Sequence, residues 1–316
     1  MKKVSSATVK CAILGASGYS GMELVRILSC HPRAEIIAAT SNTYADKAIA
    51  SVFPWAPVDP KMKFLPHDKG AAARGADVFF TAFPHGKCFP HVAKLLKKAR
   101  VIDISADFRL RDAAGYDKWY GYTHPMPAML GKAVYGLPEV RRAAIKKATL
   151  LANPGCYPTS VLLGLLPLSD TGIKISSRII VDAKSGYSGA GRSLKPHLLF
   201  TEGVNEFTAY KPTRHSHIGE MQQEAGGFFG ADIRVSFTPH LIPVARGILS
   251  TIYVEPVGEV DEKKLRAAYE KRCAAEPFMK LCAPGQSPSV KQVSGTNLCL
   301  MNVFNDPDNG LIKIVS

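Results

Sequence analysis

Apolar and polar positions follow one pattern in the first half of the chain and a different one in the second half. In the first half, short apolar runs alternate with segments of helical periodicity, of which residues 88–99 are the clearest. The apolar runs lie at residues 8–14, 35–39, 77–82, 101–104 and 150–152. Apolar strands separated by helices are typical of a parallel sheet that is covered on both faces. We therefore predict an α/β domain over residues 1–155.

The pattern changes after residue 155, where strands become more frequent than helices. Strand patterns lie at residues 177–183, 233–238, 248–254, 298–304 and 311–315. Helical patterns lie at residues 159–168, 217–226 and 261–273. No internal repeat or low-complexity linker is visible in the sequence. Because clustered strands with few helices favour a mixed or antiparallel sheet, we predict a second, α+β domain over residues 156–316.

A glycine-rich turn connects the first predicted strand to the first predicted helix. Gly15, Gly18 and Gly21 are spaced three apart, and such glycines let the backbone approach a pyrophosphate at a helix N-terminus. The strand–turn–helix context favours a Rossmann-type dinucleotide-binding domain over the alternative of an ordinary tight turn. The predicted cofactor contacts in this turn are Gly15, Ser17, Gly18, Tyr19, Ser20 and Gly21.

The residues after the second predicted strand indicate which dinucleotide binds. Domains that bind NAD usually place an acidic side chain there, which holds the ribose 2′-hydroxyl. This chain instead has Ser41 and Asn42, with Lys47 close behind. Hydroxyl, amide and ammonium groups suit a 2′-phosphate better than a carboxylate does, so we predict NADP as the cofactor.

Composition and charge narrow the class of protein. Hydrophobic residues make up 46% and charged residues 21% of the chain, and no apolar run approaches the ~20 residues of a membrane helix. The basic start at residues 1–3 lacks the apolar body of a signal peptide, so we expect a cytoplasmic protein with no membrane partner. The formal charge of +14 comes from dispersed residues, which argues against nucleic acid and suits small anionic ligands.

Seven cysteines are scattered through the chain, and one of them has the setting of a nucleophile. An odd, scattered set argues against a disulfide framework and for a reducing compartment. Cys156 follows Pro154-Gly155 and precedes an apolar helix, just beyond the end of a predicted strand. A helix N-terminus favours the thiolate, although a buried structural cysteine in a turn would look the same in sequence.

A base for that cysteine can be sought among the histidines. His217 and Glu220 are three residues apart, so a helix would place the carboxylate beside the imidazole; a polar loop with surface histidines is the alternative. His85, Cys88 and His91 are also three apart and could suggest a metal. Prolines interrupt that segment, and neither a Cys-x-x-Cys nor a His-Glu-x-x-His motif is present. We therefore predict no metal site.

The sequence as a whole resembles the N-acetyl-γ-glutamyl-phosphate reductase family, within the aspartate-semialdehyde dehydrogenase superfamily. The resemblance runs through nearly the whole chain as several motifs in the same order. They are the glycine turn at residues 15–21, Pro84-His85-Gly86, Ser105-Ala106-Asp107-Phe108-Arg109, Tyr135-Gly136-Leu137-Pro138-Glu139, the cysteine segment at 153–159, and the segments at 184–192, 214–220 and 238–247.

The resemblance implies an activity and a set of site residues. The implied enzyme reduces N-acetyl-γ-glutamyl phosphate with NADPH, giving N-acetylglutamate 5-semialdehyde and phosphate in arginine biosynthesis, and it assembles as a homodimer or homotetramer. The second domain would then carry catalysis and dimerisation. The implied roles are catalytic for Cys156, His217 and Glu220, cofactor-binding for Pro84, Ser185 and Gly186, and substrate-binding for Arg109, Lys184, Arg192 and Arg246.

The chain departs from the family in three places. Asn42 stands where members often have arginine, and Asp46 where they have glycine. Family members usually continue past Ser316 into a further helix, so the sequence is either a piece of a longer protein or lacks part of its nicotinamide pocket or dimer contacts. Two other functions therefore stay open, namely a reductase of an aminoadipate-type acyl phosphate and a non-catalytic NADP-binding protein.

Overall fold

The computed structural model describes residues 8–316, so the basic start at residues 1–3 lies outside the described part. The chain divides into two compact units, the first ending at Pro154 and the second beginning at Gly155. No helix within residues 8–316 is both long enough and apolar enough to cross a bilayer. Each unit is described by itself.

The first unit is built on a parallel sheet. Its strands are β1 (Val9–Leu14), β2 (Ala34–Ala39), β3 (Val78–Thr81), β4 (Arg100–Asp103), β5 (Val134–Tyr135) and β6 (Leu150–Ala152). Their order across the sheet is β2-β1-β3-β4-β6-β5, and every neighbouring pair is parallel. The chain moves from β1 to β2 on one side and later to β3 on the other. The gap between β1 and β3 is therefore the switch point where ligands of such sheets bind.

Helices accompany this sheet, and they complete two apolar layers. They are α1 (Tyr19–Ser29), α2 (Ile49–Val52), α3 (His67–Ala71), α4 (Phe89–Leu95), α5 (Ala114–Tyr120), α6 (Pro127–Leu130) and α7 (Pro138–Lys147). Ala12 and Leu14 belong to one buried cluster, while Ile13 belongs to another. Successive strand residues point to opposite faces, so both faces of β1 are covered. This explains the continuous apolar runs in the sequence and confirms the predicted α/β class.

The second unit is built on a seven-stranded mixed sheet. Its strands are β7 (Ile175–Ser185), β8 (Thr208–Ala209), β9 (Arg234–Leu241), β10 (Ile248–Pro256), β11 (Met279–Leu281), β12 (Cys299–Asp306) and β13 (Leu311–Val315), in the order β11-β12-β13-β10-β7-β9-β8. β7 pairs in parallel with β9, and β11 with β12, while the remaining pairs are antiparallel. The predicted mixed sheet is confirmed.

Five helices accompany the second sheet within the described residues. They are α8 (Cys156–Ser169), α9 (Phe200–Gly203), α10 (His217–Phe229), α11 (Glu262–Ala275) and α12 (Val290–Val293). The short α9 and α12 were not predicted. α8 begins at Cys156 rather than at residue 159. Pro158 is tolerated at the third position, because the N–H that proline lacks would have no partner within the helix there. This shift makes Cys156 the first residue of the helix.

Candidate active site

The glycine turn forms a close-fitting cradle after β1. Gly15 has φ +84°, and a β-carbon on it would lie 2.5 Å from the carbonyl oxygen of Ala82. A β-carbon on Gly21 would collide with the backbone of Gly15 and Ala16. Gly18 is the N-cap of α1, and no side chain caps that helix. The turn therefore leaves space and helix N–H groups where a pyrophosphate would bind, which fits a dinucleotide.

The predicted residues after β2 come together with the glycine turn. Ser41 Oγ lies 2.8 Å from Ser17 Oγ, and it also accepts the backbone N–H of Tyr44 at 3.2 Å. Asn42 Oδ1 accepts the backbone N–H of His67 at 3.0 Å. The ammonium of Lys47 lies 5.8 Å from the centre of the Tyr44 ring. The structure thus groups Ser17, Ser41 and Asn42 beside the cradle.

Sequence reasoning missed two residues of this region, Thr40 and His67. Thr40 is fully buried, and its hydroxyl accepts the backbone N–H of Gly15 at 3.0 Å. The same hydroxyl lies 2.7 Å from His67 Nδ1. Thr40 could have been found as the first polar residue after the β2 run. His67 carries no sequence signal, because it lies 25 residues from Asn42 along the chain.

The loop after β3 contains Pro84 and is anchored by a buried carboxylate. Asp107 accepts the backbone N–H of Gly86 at 2.8 Å, the hydroxyl of Tyr122 at 2.9 Å and the thiol of Cys88 at 3.0 Å. Asp107 is fully buried. Although Asp107 stands in one of the family motifs, its spacing gave no hint of this anchoring. The loop is therefore fixed at the switch point between β1 and β3, where Pro84 was predicted to meet the cofactor.

The histidines near Cys88 do not form a metal cluster. His91 stacks on Phe83 with ring centres 5.2 Å apart, and His85 contacts Tyr120 at 5.5 Å. Burial, with the nearby charges of Asp103 and Asp107, raises the pKa of the Cys88 thiol far above its usual range. Among residues 8–316, no group of three or more histidine, cysteine or acidic side chains is arranged to hold a metal ion.

Arg109 was predicted to bind the substrate anion, and the structure places it in a backbone network. Its Nε donates to the carbonyl of Asn153 at 2.7 Å, and its Nη2 donates to the carbonyl of Ile104 at 3.0 Å. The residue is 7% exposed. Two of its donors thus tie the ends of β4 and β6 together, and its role toward substrate stays a prediction.

Cys156 has a setting that no other cysteine in residues 8–316 shares. It is exposed at the first position of α8, where unpaired backbone N–H groups favour a negative charge. Burial raises the pKa of Cys11, Cys273 and Cys282, in Cys273 to about 11. Cys30 is also exposed, but it lies at the C-terminal end of α1 rather than at the start of a helix.

The helix that carries His217 is joined to the cysteine segment by Glu220. His217 is the first residue of α10, and Glu220, one turn later, is fully buried. Glu220 Oε1 accepts the backbone N–H of Gly155 at 2.7 Å. This hydrogen bond anchors Gly155, the residue that precedes the thiol. Orientation of His217 by Glu220 stays a prediction.

Aromatic rings surround Tyr157, the residue that follows Cys156. The ring of Tyr157 lies 5.9 Å from those of His215 and His217, and its hydroxyl lies 3.1 Å from that of Tyr210. Burial is the main cause that raises the pKa of both phenols, and the charge of Cys156 adds to it. His217 therefore lies against the residue that follows Cys156, and the phenols stay protonated near the thiol. Tyr210 and His215 were not predicted as site residues.

The remaining predicted residues lie on the strand β7 and on the loops after β7 and β9. Ser185 is buried at the end of β7, and a β-carbon on Gly186 would lie 2.7 Å from the carbonyl oxygen of Val244. Lys184 pairs with Asp182 at 2.8 Å, so its charge is already partly offset. Arg192 and Arg246 are exposed. The predicted roles of these five residues remain predictions.

Known proteins resemble this chain over nearly its whole length. A family model described as "Semialdehyde dehydrogenase, NAD binding domain" matches residues 10–148, and one described as "Semialdehyde dehydrogenase, dimerisation domain" matches residues 156–316. Two relatives are named N-acetyl-gamma-glutamyl-phosphate reductase. That of Moorella thermoacetica is 42% identical over 309 residues, and that of Desulforamulus reducens is 44% identical over 311 residues. Each alignment covers 98% of this chain and 89% of the relative.

Solved structures resemble the fold at lower identity. Aspartate semialdehyde dehydrogenase II of Vibrio cholerae, complexed with ASA, has a TM-score of 0.72 at 18% identity, covering 98% of this chain and 92% of that one. Aspartate semialdehyde dehydrogenase of Candida albicans, solved with NADP, has a TM-score of 0.68 at 13% identity. The match covers 98% of this chain and 93% of that one. At such identities the likeness establishes the fold.

Proposed function

The chain belongs to the semialdehyde dehydrogenase family, and on that premise we propose that it reduces N-acetyl-γ-glutamyl phosphate with NADPH, using Cys156 as nucleophile. The products are N-acetylglutamate 5-semialdehyde and phosphate, as in arginine biosynthesis. One observation carries the choice of substrate: relatives 42% and 44% identical over 98% of the chain bear the name of this reductase. One feature of the site supports the chemistry, namely an exposed thiol at the first position of a buried helix.

The first unit is a nicotinamide dinucleotide-binding domain. In our proposal the turn at residues 15–21 holds the pyrophosphate, while Ser41, Asn42 and Lys47 face the 2′-phosphate of NADP. Asn42 is oriented for this role, because its oxygen accepts from His67 and its NH₂ group is left as the donor. Pro84, Ser185 and Gly186 would lie near the nicotinamide, which supplies a hydride when bound.

Cys156 begins the chemistry as a thiolate that attacks the γ-carbonyl carbon of the acyl phosphate. The new C–S bond gives a tetrahedral adduct, and the adduct expels phosphate with the C–O bonding pair, leaving a thioester. The N-terminus of α8 stabilises the attacking sulfur, because its N–H groups are not used inside the helix. After reduction of the carbonyl carbon, the thiohemiacetal collapses and Cys156 leaves as thiolate again.

His217 is the general acid and base in these steps. It takes the proton of the Cys156 thiol before attack, gives that proton to the oxyanion of the thiohemiacetal, and takes it back when the aldehyde forms. Glu220 is a positioning residue, because its hydrogen bond to Gly155 holds the backbone directly before Cys156. Arg109, Lys184, Arg192 and Arg246 are the candidates for holding the substrate's carboxylate and phosphate.

We also propose a homo-oligomer, with the second unit pairing with a second copy. Apolar side chains support this, since Ile180 on β7 is 47% exposed and Phe200 and Phe207 are 80% and 59% exposed. Exposed apolar side chains mark an interaction surface where they form one continuous patch. The cytoplasm is the proposed compartment, because none of the seven cysteines, all within the described residues, forms a disulfide.

The proposal is tested in the reverse direction with purified full chain. N-acetylglutamate 5-semialdehyde, phosphate and NADP⁺ should give NADPH, and omission of phosphate should stop the reaction. Cys156→Ser should lower turnover roughly 10³-fold, since a hydroxyl is far less acidic than a thiol. Cys30→Ser is the matched control and should retain turnover. Faster turnover of the aminoadipate-type semialdehyde would reassign the substrate, and near-normal turnover by Cys156→Ser would overturn the mechanism.

A further inference from the structure

His67 lies where three segments of the candidate cofactor site meet. Its ring nitrogen Nδ1 is 2.7 Å from the hydroxyl of Thr40, and its backbone N–H donates to Asn42 Oδ1 at 3.0 Å. The ring also packs edge-on against Phe83, with centres 4.9 Å apart. Thr40 and Asn42 follow β2, and Phe83 follows β3. One side chain therefore contacts the segments after two strands, and it reaches the third through Thr40.

That third segment is the glycine turn. The hydroxyl of Thr40 accepts the backbone N–H of Gly15 at 3.0 Å, so its own proton is available for the imidazole. The resulting chain runs from Gly15 N–H to the Thr40 hydroxyl and from there to His67 Nδ1. It requires a neutral ring whose proton sits on Nε2. Thr40 has no freedom to rearrange, because it is fully buried and its backbone bonds to Ile13 and Ala16.

The surroundings of His67 agree with a neutral ring. Burial and the neighbouring His91 lower the pKa of His67, and Asp68 opposes this only in part. A lowered pKa favours the neutral imidazole, whose Nδ1 can accept a hydrogen bond from Thr40.

We propose that His67 is a positioning residue for the dinucleotide, which sets the glycine turn, the Asn42 amide and the Phe83 loop relative to one another. The inference rests on the proposed function, since it assumes that these segments hold the cofactor. His67 acts through Gly15 and Asn42 and takes no part in the reaction at Cys156. Its loss should therefore weaken cofactor binding and leave the chemical step unchanged.

Fluorescence titration of the full chain with NADPH tests this proposal. His67→Ala should raise the Kd for NADPH roughly tenfold, as expected for the loss of the side-chain hydrogen bond to Thr40, while the backbone bond to Asn42 is kept. The kcat at saturating NADPH should stay within about twofold of wild type. His67→Asn offers a side-chain oxygen near the position of Nδ1, so it should restore the Kd to within about threefold. His67→Phe keeps a ring against Phe83 but removes the nitrogen that pairs with Thr40, so it should match His67→Ala.

His91→Ala is the matched control, because His91 stacks on Phe83 without a hydrogen bond to Thr40 or Asn42. It should bind NADPH like wild type. The inference is overturned if His67→Ala binds NADPH as wild type does, or if His91→Ala loses as much affinity. If His67→Ala does not fold, His67→Phe decides. A wild-type chain that binds NADH but not NADPH would defeat the proposed cofactor instead, and the same variants titrated with NADH would still decide the role of His67.

Discussion

The carboxylate of Glu220 accepts a 2.7 Å hydrogen bond from the backbone N–H of Gly155, the residue directly before Cys156. Cys156 and His217 are each the first residue of a helix, α8 and α10 respectively. Glu220 lies on α10 and its partner Gly155 is the N-cap of α8, so this one bond couples the starts of both helices. The nucleophile and its proposed base are thereby held in one local framework.

Glu220 variants separate anchoring from electrostatics. Glu220→Gln keeps an oxygen that accepts from Gly155, so we expect turnover within about tenfold of wild type and little change in unfolding free energy. Glu220→Ala leaves the buried N–H of Gly155 without its acceptor and should lower the unfolding free energy by roughly 1–3 kcal/mol. Urea unfolding and turnover measure the two effects. A folded Glu220→Gln protein as inactive as Cys156→Ser would show that the negative charge itself takes part in catalysis.

Substitution of Gly15 tests the cradle of the cofactor site. Gly15→Ala adds a β-carbon 2.5 Å from the carbonyl of Ala82, at a backbone φ of +84°. We expect loss of NADPH binding by at least about tenfold, because the turn must move to relieve the contact. Gly75→Ala is the control, since Gly75 has φ +80° with no atom near the added carbon. It should cost about 1 kcal/mol of stability and leave the Kd unchanged; equal loss of binding in both variants would refute the cradle.

The two departures from the family pattern near the ribose should each weaken NADP binding. Asn42→Arg introduces a guanidinium that can pair with a 2′-phosphate, so the preference for NADPH over NADH should rise roughly tenfold. Asp46 has φ +64°, a conformation that glycine adopts more easily. Asp46→Gly should therefore improve NADPH affinity a few-fold by removing a carboxylate. The ratio of Kd values for the two cofactors is the readout, and an unchanged ratio in Asn42→Arg would place the 2′-phosphate elsewhere.

The buried Asp103 should make stability depend on pH. Burial raises its pKa to about 6, although Thr81 and Ser105 donate hydrogen bonds to it. A carboxyl with a raised pKa binds its proton more tightly in the folded state. Its stabilising contribution is complete below about pH 4 and is lost as the pH rises through about 6. We expect a loss of order 2–3 kcal/mol in wild type over this range.

Asp103→Asn should flatten that part of the profile, because an amide does not titrate. Urea unfolding at about pH 4 and about pH 7.5 measures the difference, and Asp232→Asn, at an exposed position between α10 and β9, is the control. Identical profiles for wild type and Asp103→Asn would mean that the carboxyl is solvated in solution.

The sequence was sufficient to predict the two sheets and the glycine turn, and insufficient to predict the contacts that hold them, while the role of Cys156 stays a prediction. Apolar runs and spaced glycines are local signals, so β1, Gly15 and the class of both units could be predicted. The bonds from Asp107 to the Pro84 loop and from His67 to Thr40 join residues 21 to 27 positions apart. No pattern of spacing reveals such pairs.

One prediction differed from the structure for a physical reason. The helical pattern after Cys156 predicted a start at residue 159, whereas α8 begins at Cys156 and includes Pro158. The structure tolerates that proline at the third position and moves the thiol onto the helix. Arg109 donates to two backbone carbonyls that its charge and motif did not reveal, and its role toward substrate stays a prediction.

The core position of α8 has a consequence for how this protein tolerates change. Every residue of α8 except Cys156 is buried or half-buried, and Gly164 approaches Ile252 and Ile314 closely. A helix enclosed in this way cannot shift unless the strands around it move too. Substitutions on the surface leave the sulfur of Cys156 in place, whereas a substitution that changes the volume of a side chain packed against α8 displaces it. Natural selection on turnover therefore constrains the sizes of interior residues that never meet a ligand.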